Sequence, residues 1–197
     1  LHAAAQTQRP NIVFIITDDH SFQTISAYGS EVSKLAPTPN IDRLANEGAR
    51  FDDAFVENSL STPARACLLT GLYSHQNGQR TLGKGIDSTK TFVSELLQDA
   101  GYQTGVVGKW HMQCRPKGFD FFRIFEGQGD YYNPLVLSHD SNGKYEREQG
   151  YATDIVTEHA VEFLNQRDEQ KPFFLLVEHK APHRTWMPNL KYLGLYD

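Results

Sequence analysis

From Asn11 to Thr17 the chain is almost uninterruptedly apolar, and the run stops at Asp18 and Asp19. So little alternation fits a strand covered on both faces better than one facing water. Thr38 and Pro39 then give an N-cap with proline at the first helical position. Ile41, Leu44 and Ala45 form one apolar stripe, and Gly48 closes the helix. The same grammar recurs from Thr62, read as the cap, and Pro63 through to Gly71. A third helix is expected over Phe92, Val93, Leu96, Leu97 and Ala100, ending at Gly101 and leading into a short strand from Gln103 to Val107. Ile155, Val156, His159, Ala160, Phe163 and Leu164 mark a fourth helix, followed by a buried strand from Phe173 to Val177.

Strands alternating with helices predict an α/β fold with a mostly parallel sheet. In such sheets, functional residues collect beyond the carboxyl ends of the strands. The stretch from Arg115 to Gly150 is rich in Gly, Asp, Asn, Tyr and Phe without clean periodicity, and reads as a long loop or a small excursion over the rim of the sheet. No internal repeat or linker divides the chain.

Composition narrows the class. The 19 basic and 24 acidic residues leave a net charge of −5, which argues against a nucleic-acid coat and confines any anion site to a local cluster. At 39% hydrophobic residues the chain can build a core. Its longest aliphatic or aromatic runs, Ile12 to Ile16 and Phe173 to Val177, are far short of the ~20 residues that cross a bilayer. Cys67 and Cys114 form neither a disulfide framework nor a zinc pattern, and Cys67 reads as a small buried hydrophobe. Residues 1–10 read as a processed or disordered segment, with Ala3-Ala4-Ala5 near a cleavage point, and residues 11–197 as one unit.

Four short stretches carry chemistry. Asp18 and Asp19 repel each other, so the pair is costly unless a cation or strong donors compensate; otherwise one caps a turn and the other is solvated. With Thr62 as cap, Ser61 stands at a helix N-terminus, where free N–H groups and the dipole favour an anion, and Arg65 one turn on can reach back to the same point; otherwise this is an ordinary capped helix with a surface Arg. Lys109 and His111 are two residues apart, so an extended segment would aim both the same way. His183, in Ala181-Pro182-His183-Arg184, follows the last buried strand and could act as a general acid. His2, His75, His139, His159 and His179 read as structural residues bonded to backbone.

The order of these motifs is more informative than any one of them. Asp-Asp after the first strand, Ser61-Thr62-Pro63-Ala64-Arg65 ending in Leu68-Leu69-Thr70-Gly71, then Gly108-Lys109-Trp110-His111 and Ala181-Pro182-His183 resemble the amino-terminal part of a formylglycine-dependent type I sulfatase. Pro39-Asn40-Ile41-Asp42-Arg43-Leu44-Ala45 and Gly101-Tyr102 fit the same pattern, and the resemblance runs from Pro10 to about Pro188. It implies an alkaline-phosphatase-like fold of which this chain is the N-terminal part, a periplasmic or secreted location, and hydrolysis of a sulfate ester.

In that family the residue at position 61 is oxidised to formylglycine by a maturation enzyme, and its hydrated aldehyde supplies the attacking hydroxyl. By the resemblance, Asp18, Asp19 and residue 61 would bind Ca2+, while Arg65 and Lys109 would hold formylglycine and the sulfate oxygens. His111 would be the base that releases sulfate, and His183 would protonate the leaving oxygen. The chain departs from the common pattern by carrying Ser61 where most members have cysteine and Ala64 where serine is common. The family's further Asp-Asn metal pair and second lysine are expected in a carboxyl-terminal portion beyond this sequence. Lys117-Gly118-Phe119-Asp120, Gln128 to Pro134 and His183 to Pro188 resemble the subgroup that takes N-acetylglucosamine 6-O-sulfate in heparan or related glycans, which implies a sulfated oligosaccharide partner. Two other readings stay open: a phosphomonoesterase or phosphodiesterase of the same fold using Ser61 directly, and a non-catalytic binder of sulfated glycans.

Overall fold

The computed structural model describes residues 9–195. The expectation of a processed segment at the amino terminus falls largely on residues 1–8, outside the described residues. The chain forms β1 (Ile12–Ile16), α1 (Pro39–Glu47), α2 (Ser61–Thr70), α3 (Ser74–Asn77), α4 (Val93–Asp99), β2 (Gln103–Gly108), β3 (Phe121–Phe125), β4 (Leu135–Ser138), β5 (Tyr145–Arg147), α5 (Ala152–Gln166) and β6 (Phe173–Glu178). No described helix is long and apolar enough to cross a membrane.

The strands make one sheet in the order β1-β6-β2-β3-β4-β5. The pairs β1–β6, β6–β2 and β2–β3 are parallel, while β4 and β5 are added antiparallel. The expected mostly parallel sheet is therefore present, and it is wider than the sequence pattern indicated. The region from Arg115 to Gly150 is not a loop over the rim: it supplies β3, β4 and β5. Phe121, Phe122, Ile124 and Phe125 are buried on both faces of the sheet, so β3 shows no alternation, and four-residue β4 is too short to display a period.

Central β6 explains how the layers hold together. Phe174 and Leu176 point into one core with Ala66, Leu69, Phe92, Val106 and Phe122, under α2 and α4. Phe173, Leu175 and Val177 point into the other with Val107, Phe125, Ile155, Val156 and Phe163, under α5. Each such side chain contributes roughly 1.5–3 kcal/mol by leaving water. The run from Phe173 to Val177 has no polar position because neither face of this strand is wet.

β1 departs from expectation in the opposite sense. It is an edge strand paired only with β6, and Val13, Phe14 and Ile15 are 50, 41 and 54% exposed. The packed helices reach β2 and β6 rather than β1, so its apolar run is not covered on both faces among the described residues.

Helix starts also differ. In α2 the N-cap is Leu60, not Thr62: Ala64 N donates to Leu60 O at 2.9 Å, and Ser61 is already helical. Thr62 spends its hydroxyl on His111 O at 3.0 Å, and Pro63 is tolerated because a first-turn N–H has no helical acceptor. In α1 Thr38 does cap and Pro39 does begin the helix, but the Thr38 hydroxyl engages the Ser26 backbone N–H and the Ser26 and Asp42 side chains instead of an N–H of the helix's own first turn. Cys67 is only partly buried, with Sγ 3.5 Å from Ser74 Oγ.

Candidate active site

Three parallel strands end on one side of the sheet, and each delivers charged residues there. Asp18 and Asp19 follow β1, Lys109 and His111 follow β2, and Glu178 is the last residue of β6, with Lys180 and His183 beyond it. The strand ends are tied to each other by backbone bonds: Asp18 N donates to Ala181 O at 3.1 Å, His179 N to Ile16 O at 2.9 Å and Lys109 N to Glu178 O at 2.7 Å. Gly108 makes the last contact possible. Its φ is +95°, and a Cβ on it would lie 2.1 Å from Glu178 O.

α2 brings its first residue to this edge. Ser61 Oγ accepts from Arg65 Nε at 3.3 Å and lies 3.2 Å from His111 Nδ1. Arg65, 4% exposed, also donates through Nη1 to Lys109 O and to Glu178 Oε1, each at 2.7 Å. Its Nη2 is 3.9 Å from Asp18 Oδ1, and the other Asp18 oxygen pairs with Lys109 Nζ. The Lys109 side chain is completely buried. Two cations, Arg65 and Lys109, thus face two carboxylates, Asp18 and Glu178, around the hydroxyl of residue 61.

Burial shifts His111, Lys109 and Glu178. It pushes the His111 imidazole down to about 4, with Lys109 and Arg65 adding to the shift, so His111 is neutral near pH 7 and can accept a proton. It lowers the Lys109 ammonium from its usual range, while Asp18 pulls the other way. It raises Glu178 to about 7, against the attraction of Arg65 and Lys109.

Five of the seven residues picked out from sequence, Asp18, Ser61, Arg65, Lys109 and His111, therefore form one connected cluster. Lys109 and His111 reach it differently from expectation. His111 has φ +53°, so the two converge through a turn, not by alternation along an extended segment. Asp19, also left-handed at φ +61°, turns outward and leaves Asp18 pointing in. Such conformations cost about 1–3 kcal/mol in non-glycine residues and concentrate at functional sites.

His183 and Asp19 form the outer part of the site. His183 Nε2 is 3.7 Å from Asp19 Oδ2, and its Nδ1 donates to Arg184 O at 2.6 Å, which leaves Nε2 to face an incoming group. Tyr131 OH donates to His183 O and anchors this segment. Beside it an open cleft of about 580 Å3 is lined by Gln128, Asp130, Tyr131, Tyr132, Lys180 and His183, among others.

Sequence reading missed Glu178 and gave Lys180 no role, while Tyr131 lay within the stretch from Gln128 to Pro134 tied to the substrate subgroup. Glu178 had a usable signal, since it ends a five-residue apolar run just as Asp18 follows the first one. Of the other histidines, His139 does bond backbone, at Phe122 O, whereas His159 is buried against Glu148 at 2.8 Å.

The oxygens of Asp18, Asp19 and residue 61 are hard donors of the kind calcium takes. They amount to about half of its usual six to eight ligands. Among the described residues no three His, Cys, Asp or Glu side chains converge on one point, so this donor set fits a hard cation only as part of a larger shell.

A model of the sulfatase family matches residues 10–193. An N-acetylglucosamine-6-O-sulfatase of Bacteroides thetaiotaomicron is 48% identical over 195 residues, covering 98% of this chain and 34% of that protein. A solved structure of a protein in complex with its substrate D-glucosamine-2-N,6-O-disulfate superposes with a TM-score of 0.90 at 48% identity, over 96% of this chain and 38% of that one. A member of the alkaline phosphatase superfamily from Vibrio parahaemolyticus, 21% identical, shares the fold with a TM-score of 0.60, over 98% of this chain and 45% of that one. The chain spans about a third of the length of the curated relative, and over that span it has an alkaline-phosphatase-like fold and belongs to the sulfatase family.

Proposed function

We propose that this chain carries the nucleophile-bearing part of a sulfuric ester hydrolase that removes O-sulfate from a glycan. The substrate class is N-acetylglucosamine 6-O-sulfate in heparan or related glycosaminoglycans. The observation that carries this reading is the position of Ser61 Oγ, between Arg65 Nε and His111 Nδ1 in the first turn of α2. The name of the relative that shares 48% identity, an N-acetylglucosamine-6-O-sulfatase, supports the substrate class.

In this account a maturation enzyme converts Ser61 to formylglycine. The hydrated aldehyde would supply one hydroxyl to attack sulfur and a second whose deprotonation expels sulfate. Asp18, Asp19 and residue 61 would hold Ca2+, which when bound supplies positive charge beside the nucleophile. Arg65 orients the oxygen of residue 61 and, with Lys109, places positive charge where the sulfate oxygens lie. Neutral His111 takes the proton from residue 61. As an imidazolium, with its Nδ1–H held by Arg184 O, His183 gives the Nε2 proton to the sugar oxygen as the sulfur–oxygen bond breaks. A periplasmic or secreted location suits a glycan substrate.

The contact between Ser61 and His111 is also what a phosphoesterase with an unmodified serine nucleophile would use. The test is a comparison of matched sulfate and phosphate esters, including 6-O-sulfated N-acetylglucosamine, with the complete matured enzyme. Sulfate release exceeding phosphate release is the expected result. Faster phosphate release with Ser61 unmodified would establish the phosphoesterase, and binding without turnover a glycan-binding relative.

A further inference from the structure

Glu178 stands where a carboxylate is costly. It closes the apolar run of β6, is 2% exposed, and its Oε2 finds no hydrogen-bond partner among the described residues. What it does have is Arg65, through Oε1 and Nη1 at 2.7 Å. The same Nη1 donates to Lys109 O, and the guanidinium is planar, so fixing Nη1 in two bonds also fixes the direction of Nε. Nε faces Ser61 Oγ. Glu178 itself has no hydrogen bond to residue 61.

We propose that Glu178 is a positioning residue for the reaction at residue 61: it holds Arg65 from behind so that Nε is aimed at the reacting oxygen. In its ionised form it also offsets one of the two buried cations, Arg65 and Lys109, with Asp18 offsetting the other. The proposal rests on the reading of residue 61 as the reacting group.

The test is a double-mutant cycle in the complete matured enzyme, read with an aryl sulfate and a sulfated sugar. Glu178→Gln keeps an acceptor near Arg65 but loses the charge-assisted bond. Turnover is expected to fall about 10–100-fold, with KM changed much less. Added to Arg65→Ala, Glu178→Gln is expected to cause no further loss, because nothing remains for it to position. Glu178→Asp, which keeps the charge, should retain more turnover than Glu178→Gln, and it serves as the second variant if the glutamine form folds poorly by thermal melting. A crystal structure of Glu178→Gln should show the Arg65 guanidinium turned from residue 61. Full activity of Glu178→Gln, or losses that multiply in the double variant, would overturn the proposal. A wild-type enzyme without sulfatase turnover would overturn the sulfatase reading instead, and the orientation of Arg65 in the variant crystal would then decide the role of Glu178 alone.

Discussion

Ser61 Oγ and His111 Nδ1 lie 3.2 Å apart although fifty residues separate them in the chain. The contact exists because the N-terminus of α2 and the turn after β2 meet at the same edge, with Thr62 Oγ1 bonded to His111 O as a second tie between them. In the proposed reaction His111 takes a proton from residue 61, and burial lowers its imidazole to about 4, which keeps it neutral near pH 7.

Replacing His111 should therefore stall the reaction after its first half. In the matured enzyme, His111→Ala is expected to release about one equivalent of phenol from an aryl sulfate quickly, then to turn over roughly 10²–10⁴-fold more slowly than wild type. Stopped-flow absorbance checks this. Loss of the first equivalent as well would assign His111 to the attack on sulfur.

His183 is assigned to the other end of the reaction. A sugar oxygen leaves poorly without a proton, whereas an activated aryl oxygen leaves as an anion. His183→Ala should depress turnover of a sulfated sugar by about 10²–10⁴-fold and of an activated aryl sulfate far less. Equal losses on both substrates would mean that His183 holds sulfate or the loop instead.

Asp18 and Asp19 should separate cleanly in stability. Asp18→Asn leaves Lys109 buried beside an uncharged group and is expected to cost about 3–5 kcal/mol, the cost of breaking a buried pair. Asp19→Asn, at a largely exposed carboxylate, should be within about 0.5 kcal/mol of wild type. Chemical denaturation in the presence of a calcium chelator measures both without metal-linked stability, and similar losses would contradict the division between a buried and an exposed carboxylate.

Burial raises the Tyr131 phenol to about 12. Its folded pKa exceeds the unfolded value near 10, so the folded state binds more protons between those two values. Its contribution is complete below pH 10 and is lost as pH rises from 10 towards 12. Tyr131→Phe should melt with a shallower alkaline decline than wild type, and superimposable declines would contradict the assignment.

Much of this site was legible because its residues follow structural punctuation. Asp18 ends an apolar run, Ser61 precedes Pro63 and Arg65 at a helix start, and Lys109 follows a glycine that ends a strand. Each signal is local. Glu178 directly follows an apolar run as well, but its role becomes visible only when Arg65, 113 residues away, is seen against it. The strands from Phe121 to Arg147 were hidden for a different reason. β3 is apolar on both faces and its neighbours are three or four residues long, so pairing, not periodicity, defines them. The exposure of β1 depends on what lies beside it, which no run of residues can report.

The chemical state of residue 61 tests the whole account most directly. Trypsin should release the peptide from Phe51 to Arg65. In active enzyme made with its own maturation system, its mass is expected to be lower than that of the unmodified peptide by two hydrogens, and Ser61 should be the site that reacts with a hydrazine probe. A fully active enzyme whose Ser61 peptide carries only the unmodified serine mass would contradict the formylglycine mechanism.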